Sequence, residues 1–136
     1  FNLLTLVSTI VLIAFGCTKS LIPAVFLFVY GLLVRIFGLY PYGGILNQGD
    51  VLLAIFSSGT ILTAFFLLQW AGTTPLSIVG KVIYGAFAGC LAFLIMGCGT
   101  SPIGAMFVVL ISNLFSPIIQ FAEDFIYMQF ICIKER

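Results

Sequence analysis

Apolar residues fill this chain in long runs, and its polar residues gather between them. A helix needs about 20 apolar residues to cross the hydrocarbon core of a bilayer. Five runs approach that length, over 2–16, 21–38, 51–70, 79–96 and 103–122. The first, "NLLTLVSTIVLIAFG", is the shortest. Pro23 falls in the first turn of the second, where a missing N–H costs little. The separators read as breaks: "CTKS", the turn-rich "LYPYGGILNQG" with its interfacial aromatics, "AGTTPLS" and "GCGTSP". The strands of a membrane barrel alternate apolar and polar residues. These runs are apolar all round, so the pattern predicts an all-α integral membrane protein. It would have about five transmembrane helices in one transmembrane domain over 1–136.

Composition agrees. The chain has 136 residues, 62% hydrophobic and 7% charged. So few charges do not cover a soluble domain of this size. A net charge of +1 with no basic stripe excludes nucleic acid as a partner. The chain has no His, the commonest general base and metal ligand. Cys17, Cys90, Cys98 and Cys132 form no CxxC pair, so no metal site is expected and the cysteines read as small apolar residues. The first residue is Phe and the first run lacks a basic leader, so the chain reads as a fragment or processed portion of a longer subunit.

Basic residues orient membrane helices. With alternating connections, Lys19, Lys81, Lys134 and Arg136 fall on one side and Arg35 near the other. The chain is expected to begin outside and end in the cytoplasm, as a multi-pass protein of the inner membrane.

Polar residues inside the runs are the candidates for chemistry. "FSSGTILTAFF" places Ser57, Ser58, Gly59, Thr60 and Thr63 in the third run. Such residues let helices approach closely, or they line a site. Gly85 and Gly89 form a GxxxG pair suited to helix packing. Asn113 stands in the fifth run between Ser112 and Ser116, with Pro117 four residues on. It suits either a ligand or a bond to a neighbouring helix, because Pro117 cannot donate to its carbonyl. Asp50, Glu123 and Asp124 sit at segment ends, and Arg35 lies within snorkelling reach of the interface. No relay of buried carboxylates is therefore expected. A cation path would use hydroxyls and carbonyls, or a partner subunit.

Three stretches together resemble a known family: "SSGTILTAFFLL", "GKVIYGAFAGCLAFLIM" and "SPIGAMFVVLISNLFSPII". They are similar to the D subunit of the Rnf electron-transport complex and the related B subunit of sodium-translocating NADH:quinone reductase. Ser57, Thr60, Ala64, Phe65 and Phe66 match the first motif; Gly80, Lys81 and Gly85 match the second. Pro102, Gly104, Phe107, Leu110, Asn113 and Pro117 match the third, with no gap from Ser57 to Pro117.

The resemblance implies a ten-helix fold of two related halves, of which this chain would be the second. It implies FMN held through a phosphoester on a threonine that precedes this half, so no cofactor on this chain itself. It implies partners among the other membrane subunits, including the flavin-bearing half, and Na⁺ or H⁺ as the translocated ion. Ser57, Thr60, Phe65, Phe66, Gly104 and Asn113 become candidates to line an ion path or ligand site. "GTTPL" resembles the family's flavin-attachment pattern and offers Thr74 as an acceptor. The gapless register and the charge count place Thr74 in a later, cytoplasmic loop instead, which weighs against it. The sequence also departs from the family where carboxylates are expected: Gln69, Trp70 and Ala71 replace T-D-P, Ile103 replaces an acid, and Gln120 replaces another.

The expected function is thus that of a membrane subunit, or half-subunit, of an ion-translocating electron-transport complex, not catalytic alone. Two alternatives stand beside it. One is a transporter or channel half without redox function, which Pro- and Gly-interrupted segments also suit. The other is a structural remnant that only stabilises a complex.

Overall fold

The computed structural model describes residues 2–16, 20–37, 49–57, 59–69, 74–97 and 103–134. The loop over 39–48, Cys17, Lys19, Ser58, Trp70, Ala71, Cys98, Pro102 and Arg136 lie outside the described residues. Among those described, the elements are all helical: α1 (Asn2–Ala14), α2 (Leu21–Phe37), α3 (Val51–Ser57), α4 (Thr60–Leu62), a π turn (Thr63–Leu67), α5 (Ile78–Met96) and α6 (Gly104–Lys134).

α5 is the central helix and packs mainly on α2 and α6. Its ends are explicit in the sequence. Ser77 caps the N-terminus by accepting from the N–H groups of Val79 and Gly80. Gly97 ends the helix at φ 56, and its N–H returns to the carbonyl of Phe93. Tyr30, fully buried on α2, donates its hydroxyl to the Gly97 carbonyl at 3.0 Å. One side chain thereby fixes the C-terminal turn of α5 against α2.

The α2–α5 contact explains the GxxxG pair. A Cβ on Gly85 would lie 3.1 Å from the carbonyl oxygen of Ile22, and one on Gly89 would lie 3.1 Å from that of Phe26. Each pairing advances four residues along both helices, so α2 and α5 run parallel. Absent side chains let the two backbones meet, the small-residue packing characteristic of membrane helices. Phe26, Tyr30, Val34, Ala88 and Ala92 bury themselves along this seam.

α5 and α6 run antiparallel. Ser77 meets Glu123 at one end, and Ile95 and Met96 meet Gly104 at the other. α3 packs on α2, with Val51 closing on Gly31, and α1 packs on α4. Thr9 on α1 is buried and donates to the Thr5 carbonyl at 2.7 Å, so its hydroxyl is satisfied within its own helix.

Two features differ from the sequence expectation. The third run is not one helix over 51–70. Gly59 sits at φ 69, a left-handed conformation that ends α3 before the chain turns helical again. The fifth helix does not end near 122 but continues to Lys134. No Gly or Pro follows Pro117, so nothing terminates it. Pro117 itself lies inside the helix. Apolar helices tolerate such a residue because neighbouring groups take up the freed carbonyl.

α5 and α6 are the two described helices long and apolar enough to cross a membrane, while α1 and α2 are shorter. The exterior is strongly apolar, with Leu94, Leu110 and Phe121 each at least 70% exposed. Water does not accept such a surface, whereas lipid does. The two long helices and this exterior associate the chain with a membrane.

Candidate functional site

The break in the third run is where the chain departs most from regular helix. Gly59 interrupts it, and the side chain after it repairs part of the damage. Thr60 Oγ1 donates to the carbonyl of Ile55 at 2.6 Å, across the break. Thr63 Oγ1 donates to the Gly59 carbonyl at 3.1 Å. Both threonines are fully buried. From Thr63 the backbone widens into the π turn, with the Leu68 N–H reaching the Thr63 carbonyl at 2.9 Å. The Ile55, Gly59 and Thr63 carbonyls around this widened turn each accept one of these bonds. Such turns recur at functional positions.

The candidates of this run fall around the break. Ser57 is the last residue of α3, Thr60 the first of α4, and Phe65 and Phe66 belong to the π turn. Both phenylalanines are half-buried.

Asn113 sits on α6, half-buried, and its Oδ1 accepts a hydrogen bond from the Tyr84 hydroxyl at 2.8 Å. Of the two roles open to Asn113 in the sequence, the bond to a neighbouring helix is the one present. Among the described residues no hydrogen bond joins Asn113 to Thr60. The structure therefore holds two polar sets, one at the break and one between α5 and α6. Gly104 opens α6 and is buried, with Met96 so close that a Cβ would lie 2.9 Å from its Cγ. Gly85 and Gly89 serve the α2–α5 contact described above.

Three features are not legible in the sequence. Tyr84 lies in an apolar run and is indistinguishable there from an interfacial aromatic. Ser112 is fully buried, and among the described residues neither its Oγ nor the buried Nε2 of Gln69 has a hydrogen-bond partner. An orphaned buried polar atom is costly and uncommon, which marks both positions. The third is Glu123. Its Oε1 accepts from Ser77 Oγ at 2.8 Å, directly beside the N-terminus of α5. The close approach needs Gly80, where a Cβ would lie 2.7 Å from Oε2. A carboxylate at a helix N-terminus is favoured by the exposed N–H groups there. Serine before an apolar run is the available signal for that cap.

Thr74 lies three residues before Ser77, at the N-terminal end of α5, the end that carries Lys81 and meets Glu123 of α6. Lys81 Nζ donates to the Leu76 carbonyl at 3.0 Å in the same region. Among the described residues no group of three or more His, Cys, Asp or Glu is placed to hold a metal ion. An apolar groove of about 310 Å³ lies between the ends of α2 and α5, lined by Leu33, Phe37, Cys90, Phe93 and Leu94. It offers no polar group for chemistry beyond the exposed thiol of Cys90.

The model of the NQR2, RnfD, RnfE family matches residues 1–125. The chain belongs to this family. Among individual members, the D subunit of the ion-translocating oxidoreductase complex of Sodalis glossinidius is 41% identical over 68 residues, covering 50% of this chain and 20% of that protein. The corresponding protein of Cellvibrio japonicus is 33% identical over 100 residues, covering 73% of this chain and 28% of that protein. That of Salmonella arizonae is 32% identical over 120 residues, covering 88% of this chain and 33% of that protein. The matched region thus spans about a fifth to a third of the length of these relatives. The family match includes the runs that hold the break at Gly59 and the Tyr84–Asn113 bond.

Proposed function

We propose that this chain forms part of the membrane subunit of an ion-translocating oxidoreductase complex. There it supplies helices of the membrane arm and performs no redox chemistry alone. The observation that carries this reading is the family match over residues 1–125, together with similarity to proteins named as the D subunits of such complexes. In this reading the five apolar runs each cross the membrane, and together they form the second half of a ten-helix, two-repeat subunit. FMN is held by the other half, and Thr74 is not its acceptor. The other subunits of the complex are its partners, Na⁺ or H⁺ the translocated ion, and the C-terminal end of α6 lies on the cytoplasmic side.

Within the subunit, the broken third run is the best candidate for an ion route. An ion leaving water needs oxygen donors in an apolar surround. The Ile55, Gly59 and Thr63 carbonyls and the Thr60 and Thr63 hydroxyls concentrate them there. Ser57 ends α3 beside the break, Asn113 supplies the second polar set between α5 and α6, Gly104 lets α6 begin close to α5, and Phe65 and Phe66 supply an apolar constriction. The test is ion uptake per electron in liposomes holding the intact complex. Thr60→Val combined with Asn113→Leu is expected to lower uptake while electron transfer from the donor continues or slows. Unchanged uptake at unchanged electron flux would refute the route.

A transporter or channel half without redox function is the second reading, and the discontinuous third run favours it. Substrate sites of secondary transporters are built from interrupted helices of this kind. Solute uptake by the purified subunit in the absence of flavin and redox partners would select it.

A further inference from the structure

The seam between α5 and α6 holds more polar atoms than its packing needs. On α6, Val108, Ser112 and Ser116 are buried one turn apart and form a single stripe. Asn113 meets Tyr84 of α5 on one flank of this stripe. Phe115 meets Phe87 of α5 on the other, with ring centroids 4.8 Å apart. At about 100° per residue, Ser112 points between these two contacts and so into the seam.

Ser112 is fully buried, and among the described residues its Oγ has no hydrogen-bond partner. A serine inside a helix commonly returns its hydroxyl to the carbonyl four residues back. This one does not, and an orphaned hydroxyl in an apolar surround is costly.

The next residue is also underused. Asn113 Oδ1 accepts one bond, from the Tyr84 hydroxyl at 2.8 Å, and keeps a second lone pair. The Tyr84 oxygen, having given its proton, still has lone pairs of its own. The main-chain carbonyl of Asn113 lacks its helical donor, because the residue four on is Pro117, which lies inside α6 and has no N–H. Two consecutive residues of α6 and one of α5 thus present oxygens with unused lone pairs: Ser112 Oγ, Asn113 O, Asn113 Oδ1 and Tyr84 Oη.

Their depth is central. Gly104 lies beside Met96 at one end of the paired stretch, and Glu123 lies beside Ser77 at the other. At 1.5 Å per residue, Asn113 is about 14 Å from the first and about 15 Å from the second. In the membrane placement proposed above, this is close to the bilayer midplane.

The chemistry of these oxygens selects the ligand. All are neutral, and the carboxylates of α6, Glu123 and Asp124, lie about 15 Å or more further along the helix. A divalent ion takes carboxylate ligands, which are missing here. Hydroxyl and carbonyl oxygens in an apolar surround instead replace the hydration shell of a small monovalent cation. Main-chain carbonyls freed where a membrane helix is interrupted serve the same purpose in transporters.

We propose that Ser112, Asn113 and Tyr84 form a binding site for a small monovalent cation in the α5–α6 seam, separate from the break at Gly59. This rests on the ion-translocating membrane subunit proposed above and deepens it by naming a station at mid-depth and two residues, Ser112 and Tyr84, that line it. The Tyr84–Asn113 bond holds the two helices at the spacing the cation needs, and the Ser112 hydroxyl is the ligand that packing does not account for.

The test uses the complex purified through a tag on this chain. Heat-induced aggregation of the chain is followed at increasing NaCl, with choline chloride holding ionic strength constant. A cation that binds only the folded state raises the midpoint in step with its occupancy. Na⁺ is expected to raise the midpoint where choline does not. Ser112→Ala is expected to shift the Na⁺ concentration giving half the effect upward about tenfold, the worth of one polar contact, and Tyr84→Phe to do the same. In choline alone, Ser112→Ala should be at least as stable as wild type, because it removes an unsatisfied hydroxyl. A lost Na⁺ response is then not a lost fold. Thr9→Ala, whose hydroxyl is satisfied within α1, should keep the wild-type response. A wild-type midpoint that Na⁺ raises no more than choline does, or a wild-type Na⁺ response in Ser112→Ala, would overturn the site. Recovery of the chain without any oxidoreductase subunit would overturn the subunit assignment instead, a separate failure visible before any cation is added.

Discussion

The Tyr84 hydroxyl and the Asn113 amide oxygen lie 2.8 Å apart, a hydrogen bond between α5 and α6 from a fully buried tyrosine. In an apolar surround such a bond ties two helices that otherwise hold by packing. Tyr84→Phe is expected to lower stability by about 0.5–2 kcal/mol, and Asn113→Leu by a similar amount. The double variant should cost less than the sum of the two. Unfolding in mixed micelles with increasing denaturing detergent measures all three, and strict additivity would mean that the bond contributes nothing.

Gly85 and Gly89 bear the α2–α5 contact because a Cβ at either would lie 3.1 Å from the Ile22 or Phe26 carbonyl oxygen, close enough that the helices would have to shift apart by a few tenths of an ångström. Gly85→Ala and Gly89→Ala are each expected to destabilise by about 1–3 kcal/mol, as overpacking does. The same assay reads them. Leu at either position should prevent the parallel helix pair from forming, seen as loss of a cysteine cross-link engineered between α2 and α5.

Gly59 presents the opposite situation. A Cβ there would meet nothing within 4 Å, so the cost of Gly59→Ala is purely conformational. It should be about 1–2 kcal/mol, and Gly59→Asn should cost less, since asparagine tolerates the left-handed region. Equal costs for Ala and Asn would indicate that the position is held by packing rather than by φ.

Ser77 and Glu123 join the start of α5 to α6. Glu123→Ala and Ser77→Ala are each expected to lower thermal stability by about 0.5–2 kcal/mol, in the range of a lost helix cap. Glu123→Gln keeps an acceptor for the serine hydroxyl and removes only the charge, worth about 0.3–1 kcal/mol at a helix N-terminus. The Gln variant should therefore lie between wild type and Ala, and its deficit should shrink in high salt.

The all-helical class is legible in the sequence because its apolar runs are long and apolar on every face, and the family shows itself through motifs in the third to fifth runs. Gly85 and Gly89 are readable as packing residues because their spacing alone puts them on one side of a helix. The break at Gly59 is not. A single glycine within an apolar run is compatible with continuous helix, and its left-handed φ follows from tertiary context. Asn113 can be singled out but not assigned, because its partner Tyr84 lies 29 positions away. Glu123 reads as a residue at a segment end; its contact with Ser77 depends on α6 running on past it. The length of α6 is hidden for a plain reason: hydropathy locates the centre of a span, and the helix ends where capping or breaking residues say so.

We propose above that this chain belongs to the membrane machinery that couples electron flow to ion movement. Redox-driven ion uptake into membrane vesicles tests it most directly, comparing cells that lack this chain with cells in which it has been restored. Uptake is expected to be lost without the chain and to return with it, in step with its recovery alongside the other subunits on purification. Undiminished redox-driven uptake in vesicles lacking the chain would contradict it.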